Sequence, residues 1–117
     1  MKRRVQFVSL LVLASALVGG CSKRSERERI LKQDLVTMRI AIDKYTIEKQ
    51  AAPQSLQALV NDHYLKEIPT DPFTRKKDWV SQFDDVVASP EQSSTGVVDV
   101  HSASVQVASD GSTYNEW

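Results

Sequence analysis

Asp99, His101 and Ser102 are residues of the types that form a hydrolase triad. In such a site the serine is the nucleophile, the histidine accepts its proton and the aspartate orients the histidine. They lie in GVVDVHS, the segment with the strongest strand pattern in the chain. Because adjacent residues of a strand point to opposite faces of the sheet, His101 and Ser102 cannot meet. The chain also lacks a G-x-S-x-G motif. We therefore predict that the protein is not an enzyme.

The only cysteine, Cys21, lies where an apolar segment gives way to a charged one. The chain begins MKRR, continues with VQFVSLLVLASALV, and has two glycines just before the cysteine. A basic start, a short apolar run and small residues before a junction are typical of a secretory signal peptide. Residues 5–20 number only 16 and include Gln6, whereas a transmembrane helix needs roughly 20 apolar residues. The pattern predicts a cleaved signal peptide over residues 1–20.

The four residues Val18–Cys21 resemble the lipobox of bacterial lipoproteins. In that family the cysteine sulfur receives a diacylglycerol, the signal is cut just before it, and the new amine is acylated with a fatty acid such as palmitate. Several chains are needed because a single one gives only reversible membrane binding. The resemblance implies that Cys21 is lipidated and anchors the chain to a membrane, and Ser22 favours the periplasmic face of the outer membrane. The alternative is an ordinary cleaved signal that leaves a free thiol.

The charge of the chain changes when the signal peptide is set aside. The whole chain has 15 basic and 15 acidic residues, but residues 1–20 hold three of the basic ones, so the remaining 97 have a net charge of −3. A mildly acidic chain lacks the basic surface typical of nucleic-acid-binding proteins, so we expect no nucleic-acid partner. Residues 21–29 contain SKRSERER and are predicted to be a charged tether or the exposed first turns of a helix. Residues 30–117 are predicted to form one small globular domain.

A helical stripe is the clearest structural pattern of this domain. Its apolar residues recur at steps of four and three: Leu31, Leu35, Met38, Ile42 and Tyr45. This spacing predicts a helix over residues 27–49 with one buried face. Ala51-Ala52-Pro53 is expected to end it, and Ser55 is expected to cap a short second helix over residues 56–61.

The segment IPTDPF places Asp71 between Pro69 and Pro72. A proline disfavours helix at the residue before it, so the segment is predicted to be a rigid extended turn. The carboxylate of Asp71 is expected to fix that turn by accepting nearby backbone N–H groups.

The remainder of the chain is predicted to be a small antiparallel sheet, which together with the long helix gives an α+β fold. The predicted elements are strands over residues 79–83, 96–102 and 103–108, turns at Asp84-Asp85 and Asp110-Gly111, and a polar loop over residues 89–95.

Two segments, LVTMRIAIDKYTIEKQAAPQSLQALV and HYLKEIPTDPFT, resemble the globular part of the major pseudopilin of type II secretion systems. Members of that family share a long helix, an x-P-x-S-L-x-x-L segment, a Y-L-x-x-I-P-x-D-P-F turn and a small sheet that ends near an aromatic residue. The resemblance covers residues 28–117. It implies a pilin-like fold and a structural role among secretion or pilus proteins.

The chain departs from that family in two places. Pseudopilins have an apolar run beginning Phe-Thr-Leu-Ile-Glu, whose glutamate pairs with a neighbour's amine during assembly, but here the first acidic residue is Glu26, outside the apolar run. The resemblance also implies a calcium site in the final loop, where the only acids are Asp110 and Glu116. Since Ca²⁺ takes 6–8 oxygen ligands, these two are weak candidates, and no cofactor is predicted.

Two functions follow from these patterns. The first is a lipid-anchored structural protein that binds envelope or secretion-system proteins through a helix flank or an edge strand such as Val97–Val100. The alternative is a small ion- or ligand-binding envelope lipoprotein, although a chain of this size leaves little room for a pocket of about 300 Å³.

Overall fold

The computed structural model describes the backbone of residues 2–117 and the side chains of residues 23–117. The predicted signal peptide and the predicted lipidation at Cys21 lie outside the residues whose side chains are described. In the described part of the chain, no helix is both long enough and apolar enough to cross a membrane. The elements, in chain order, are α1 (Lys2–Lys49), α2 (Leu56–Asn61), β1 (Val80–Ser89), β2 (Gln92–His101) and a short 3₁₀ turn (Tyr114–Glu116).

The core lies between the predicted stripe of α1 and the residues that follow it. Leu31, Leu35, Met38 and Ile42 are at most 2% exposed, and Tyr45 packs against them as a partly buried residue. The helix ends at Lys49, as its sequence predicts. The Ser55 side chain accepts a hydrogen bond from the N–H of Ala58 and caps α2, which confirms the predicted second helix.

Residues 23–29 are helical and continuous with the rest of α1. Most of their side chains are exposed, as expected of the first turns of a helix. Glu28 is the exception, because only 8% of it is exposed. The expectation of a fully solvated segment is therefore wrong at Glu28.

β1 and β2 form a two-stranded antiparallel hairpin, and the α+β arrangement predicted from the sequence is confirmed. The predicted turn at Asp84-Asp85 is wrong, because both residues lie inside β1 and pair with Gly96 and Thr95. The predicted polar loop over residues 89–95 is also wrong, since Ser89 pairs with Gln92 and residues 92–95 belong to β2. The chain reverses at Pro90 and Glu91, which lie between the two strands. The ring of Pro90 fixes the φ angle of that residue.

β2 is the strand that packs against the core. Val97 and Val100 have no exposed surface, and the N–H of Val97 donates to the carbonyl of Pro53 at 2.7 Å. A Cβ atom on Gly96 would lie 2.6 Å from the same carbonyl oxygen, so only glycine allows this close approach. The predicted docking edge at Val97–Val100 is therefore not a free edge, because Val97 and Val100 are buried and the Val97 N–H and the Val100 carbonyl are bonded to Pro53 and Arg39.

Residues 103–108 form a loop with one isolated bridge, Val107 to Thr113, and not the predicted strand. The reason lies in two serines that offer the backbone other partners. The N–H of Ser104 donates to Oγ of Ser102 at 3.1 Å, and the N–H of Gln106 donates to Oγ of Ser104 at 3.3 Å. Side-chain bonds of this kind compete with the hydrogen bonds of a sheet.

Candidate functional site

Asp71 fixes the proline turn as predicted. Its Oδ1 accepts hydrogen bonds from the N–H groups of Phe73 at 2.8 Å and Thr74 at 3.3 Å. Its Oδ2 accepts the hydroxyl of Ser102, a contact that the sequence did not indicate. Asp71 is completely buried, so its carboxylate joins the turn to the end of β2. This is a structural role.

The indole of Trp79 forms a second hydrogen bond that stabilises the same turn. Its Nε1 donates to the carbonyl of Pro69 at 2.7 Å, and the residue is buried. The turn that contains Pro69 and Pro72 is therefore held by both a carboxylate and an indole.

Burial raises the pKa of the half-buried Asp34 on α1, and the negative charge of Asp71 raises it further.

Glu28 attaches the segment after β2, residues 102–117, to α1, and this segment is called the final loop. Its carboxylate accepts hydrogen bonds from the Ser109 N–H at 2.9 Å, the Ser109 hydroxyl at 2.6 Å and the Tyr114 hydroxyl at 2.8 Å. Arg24, one turn earlier, lies 3.6 Å from the same carboxylate. The hydroxyl and N–H of Ser109, then Tyr114 and Arg24, hold the pKa of Glu28 below its ordinary value although burial opposes this. The loop and the helix are thus joined by one buried carboxylate.

The residues of the rejected triad have separate partners. The Nδ1 of His101 lies 2.7 Å from the main-chain oxygen of Trp117, and its Nε2 lies 3.5 Å from Asp99. The hydroxyl of Ser102 points instead to Asp71. The predicted separation of His101 from Ser102 is confirmed, and the three residues do not form a nucleophilic site.

Arg39 on α1 forms hydrogen bonds to β2 and to the C-terminal residue. Its Nε donates to Asp99 at 2.7 Å, and its Nη2 donates to the main-chain oxygens of Val100 at 2.9 Å and Trp117 at 2.8 Å. Burial raises the pKa of Asp99, but the N–H of Val100 and the guanidinium of Arg39 outweigh burial and leave that pKa below its ordinary value. The hydrogen bonds of Arg39 attach the last residues to β2 and α1.

The two weak calcium candidates lie at opposite ends of a short segment. Asp110 accepts the N–H of Ser112 at 3.0 Å and its hydroxyl at 2.5 Å, and these bonds lower its pKa. Glu116 lies in the 3₁₀ turn and is exposed. Among the residues that the structure describes, no three His, Cys, Asp or Glu side chains are grouped as metal ligands.

Exposed apolar side chains and an unpaired edge make β1 the element best suited to binding another protein. Phe83 and Val87, which are 58% and 68% exposed, lie on one face of the strand, and Val80, which is 51% exposed, lies on the other. In the described residues β1 pairs only with β2, so its other edge keeps free backbone N–H and C=O groups. An unpaired strand edge of this kind can accept an extended segment of another chain.

The surface of residues 23–117 includes hollows, which the sequence did not lead us to expect in so small a domain. Their volumes are about 300, 620 and 290 Å³. The hollow of about 620 Å³ lies between the first described turns of α1 and the final loop, and its lining includes Lys23, Arg24, Arg27, Phe73, Val107 and Tyr114.

Comparison with known proteins gives no match: no protein-family model, no curated protein and no solved structure matches the chain. The resemblance to pseudopilins therefore stays a prediction made from residue motifs. Any function assigned to the surfaces described above is a proposal.

Proposed function

We propose that the chain is a lipid-anchored, pseudopilin-like structural protein of the bacterial cell envelope, which binds a protein of type II secretion or pilus-type machinery. The observation that best supports binding is the free edge of β1 with Phe83 and Val87 exposed on one face of the strand. The basic, apolar and small-residue pattern ending in Cys21 supports the anchor. The pseudopilin-like motifs suggest the class of partner.

The positions of the anchor and of β1 fit this proposal. The hairpin contacts the residues that follow α1, through a hydrogen bond from the Ala52 N–H to Ser94 at 3.2 Å and one from Gln54 to Thr95 at 2.8 Å. The helix from Lys23 to Lys49 is roughly 40 Å long at 1.5 Å per residue. A lipid on Cys21 would hold one end of this helix at the membrane, so the hairpin would be presented away from it.

Docking through β1 is tested by the double variant Phe83→Ser and Val87→Ser. Removing two exposed apolar side chains should reduce recovery of a cross-linked envelope partner by roughly tenfold or more, the scale of an interface anchor. Both side chains are more than half exposed, so the fold should persist. The measurement is cross-linking in intact cells, followed by purification and mass spectrometry.

The matched control removes two apolar side chains from the helix flank, as Val36→Ser and Ile40→Ser, which are 53% and 61% exposed. This control should recover the partner at the native level. If the control loses the partner and the β1 variant keeps it, docking uses the helix flank and the assignment to β1 is wrong.

Acylation of Cys21 is a separate expected result. Mass spectrometry of the protein purified from membranes should show a mature N-terminus at Cys21 that bears a diacylglyceryl thioether and an acylated amine. Cys21→Ala should abolish this modification, because no other thiol is present. A free thiol on Cys21 in the membrane-bound protein would contradict the proposal, while Ser22→Ala should leave acylation intact.

A further inference from the structure

The final loop lies beside the helical turns that follow Cys21. Arg24 donates a hydrogen bond to the carbonyl of Val107, and Glu28 holds Ser109. The loop therefore occupies the end of the domain nearest the proposed lipid. The acidic hairpin is at the other end of α1, near Ala52.

Two apolar side chains of this loop face solvent. Val105 is 74% exposed and Val107 is 56% exposed. Val107 also borders the hollow of about 620 Å³, together with Lys23, Arg24 and Arg27. An exposed valine next to basic side chains combines the two properties of an interfacial membrane contact, which are apolar area and attraction to anionic headgroups. Val105, two residues before Val107 in the same loop, adds exposed apolar area.

The charges of the domain are distributed unequally between its two ends. SKRSERER has four basic and two acidic residues, while the hairpin from Val80 to His101 has four acidic residues and no Lys or Arg. Glu26 lies 3.7 Å from Arg29, and Glu28 is buried, so neither neutralises the exposed Lys23 and Arg27 by an ion pair in the described structure. The final loop adds one acidic residue, Asp110, to the end nearest Cys21, and its carboxylate accepts hydrogen bonds from Ser112. This end is still basic, because its four basic residues outnumber Glu26, Glu28 and Asp110. At the far end Asp99 is paired with Arg39 at 2.7 Å, so the acidic charge comes from Asp84, Asp85 and Glu91.

We propose that this basic end docks directly on an anionic lipid surface. Lys23 and Arg27 contact the lipid phosphates, and Val105 and Val107 enter the headgroup region. The proposal rests on the proposed anchor at Cys21, which would keep the loop within reach of the bilayer. Docking then fixes the orientation of the domain, with α1 rising from the membrane and the hairpin pointing away.

The charge distribution favours a lipid surface over other occupants of this end. The acidic side chains of Asp84, Asp85 and Glu91 on the hairpin would be repelled by anionic lipid, whereas each Lys or Arg near such a surface is attracted to it. The screening length is about 10 Å at 0.1 M salt, so only residues close to the bilayer take part. Lys23 and Arg27 meet this condition because Cys21 precedes them by two and six residues.

The test is amide hydrogen exchange of the full chain, purified from membranes and reconstituted into vesicles. One set of vesicles contains phosphatidylethanolamine and phosphatidylglycerol, and the other contains phosphatidylethanolamine and phosphatidylcholine. Exchange in residues 103–108 should be slower on the anionic vesicles. Exchange at the hairpin turn, residues 89–92, should be the same on both. High salt should remove the difference.

The double variant Lys23→Gln and Arg27→Gln should lower the docked-to-undocked ratio on the order of 30-fold, since each charge near the surface contributes about 1 kcal/mol. Lys44→Gln with Lys49→Gln removes the same charge at the far end of α1 and should leave the protection unchanged. Equal exchange on the two kinds of vesicle, or a full loss of protection in the far-end control, would overturn the proposal. If the protection of residues 103–108 increases with the amount of protein per vesicle, the protection comes from self-association, and this result would also overturn the proposal.

The mass of the N-terminus, measured on the same sample, reports acylation independently. If Cys21 is unmodified but residues 103–108 are protected on anionic lipid, docking stands and the lipid anchor fails. If Cys21 is acylated and the loop is unprotected, the anchor stands and docking fails.

Discussion

Ile42→Ala should lower the free energy of unfolding by about 2–5 kcal/mol, the range measured for large apolar residues replaced by alanine in a core. Ile42 is 2% exposed and belongs to the stripe of α1 that contacts both α2 and β2. Its truncation removes apolar contacts and leaves a cavity that helix and hairpin cannot both close. Since a domain of this kind has only ~5–15 kcal/mol of stability, the loss would be a large fraction of the total.

The measurement is urea unfolding of residues 22–117, which retains every side chain that the structure describes. Lys44→Ala is the matched control, because Lys44 is two residues away on the same helix and is exposed. Its effect should be within about 0.5 kcal/mol. Equal losses in the two variants would mean that the buried face of α1 is assigned incorrectly.

The helices could be predicted because their patterns follow from helix geometry alone. The steps from Leu31 to Tyr45 repeat with the period of one helical face, and Ser55 precedes its helix at the capping position. Asp71 could be assigned as well, since two flanking prolines restrict the local backbone to an extended turn. These features depend on residues that are neighbours in the chain.

The hairpin could not be predicted in full because its pairing depends on residues far apart. Asp84 and Asp85 favour turns in isolation. In the structure the carboxylate of Asp85 instead accepts the Thr95 hydroxyl at 2.5 Å across the hairpin. Both strands run beyond the core at this point, so their polar side chains meet water and the alternation of apolar residues is lost.

Glu28 was missed although the sequence contains a signal for it. One further step of three residues before Leu31 extends the buried stripe of α1 to Glu28, and a step of four more reaches Arg24. The surrounding charged residues indicated a solvated segment. What the sequence could not show is that a loop some 80 residues later would provide Ser109 and Tyr114 as partners for the carboxylate.

Glu28→Ala should lower the free energy of unfolding by roughly 1–3 kcal/mol, the cost of leaving the buried Tyr114 hydroxyl without its hydrogen-bond partner. Ser109 also loses a partner for its N–H and its hydroxyl, but Ser109 is exposed, so water can replace the carboxylate there. Hydrogen exchange in residues 106–112 should rise more than exchange in β2, since the loop is released first. Glu26→Ala, at an exposed position two residues earlier, is the control and should change stability by about 0.5 kcal/mol or less.

The stabilisation that Glu28 provides should depend on pH in a defined direction. Hydrogen bonds from Ser109 and Tyr114 lower the pKa of Glu28 in the folded chain below its ordinary value of 4.5. A carboxyl group with a lowered folded pKa stabilises the protein above its unfolded pKa, and this stabilisation is lost as pH falls through the folded value. Glu28→Gln cannot ionise, so the gap in unfolding free energy between the native chain and this variant should be constant near neutral pH and shrink below about pH 4.5.

Urea unfolding of both forms at a series of pH values measures this gap directly. Asp99 and Asp110 also have lowered pKa values, so both forms will lose stability in acid. Only the difference between the two forms isolates Glu28. A gap that stays constant into the acid range would show that Ser109 and Tyr114 do not prefer the ionised carboxylate. The final loop would then be held by packing of Tyr114 against Phe73, whose ring centroids are 3.8 Å apart.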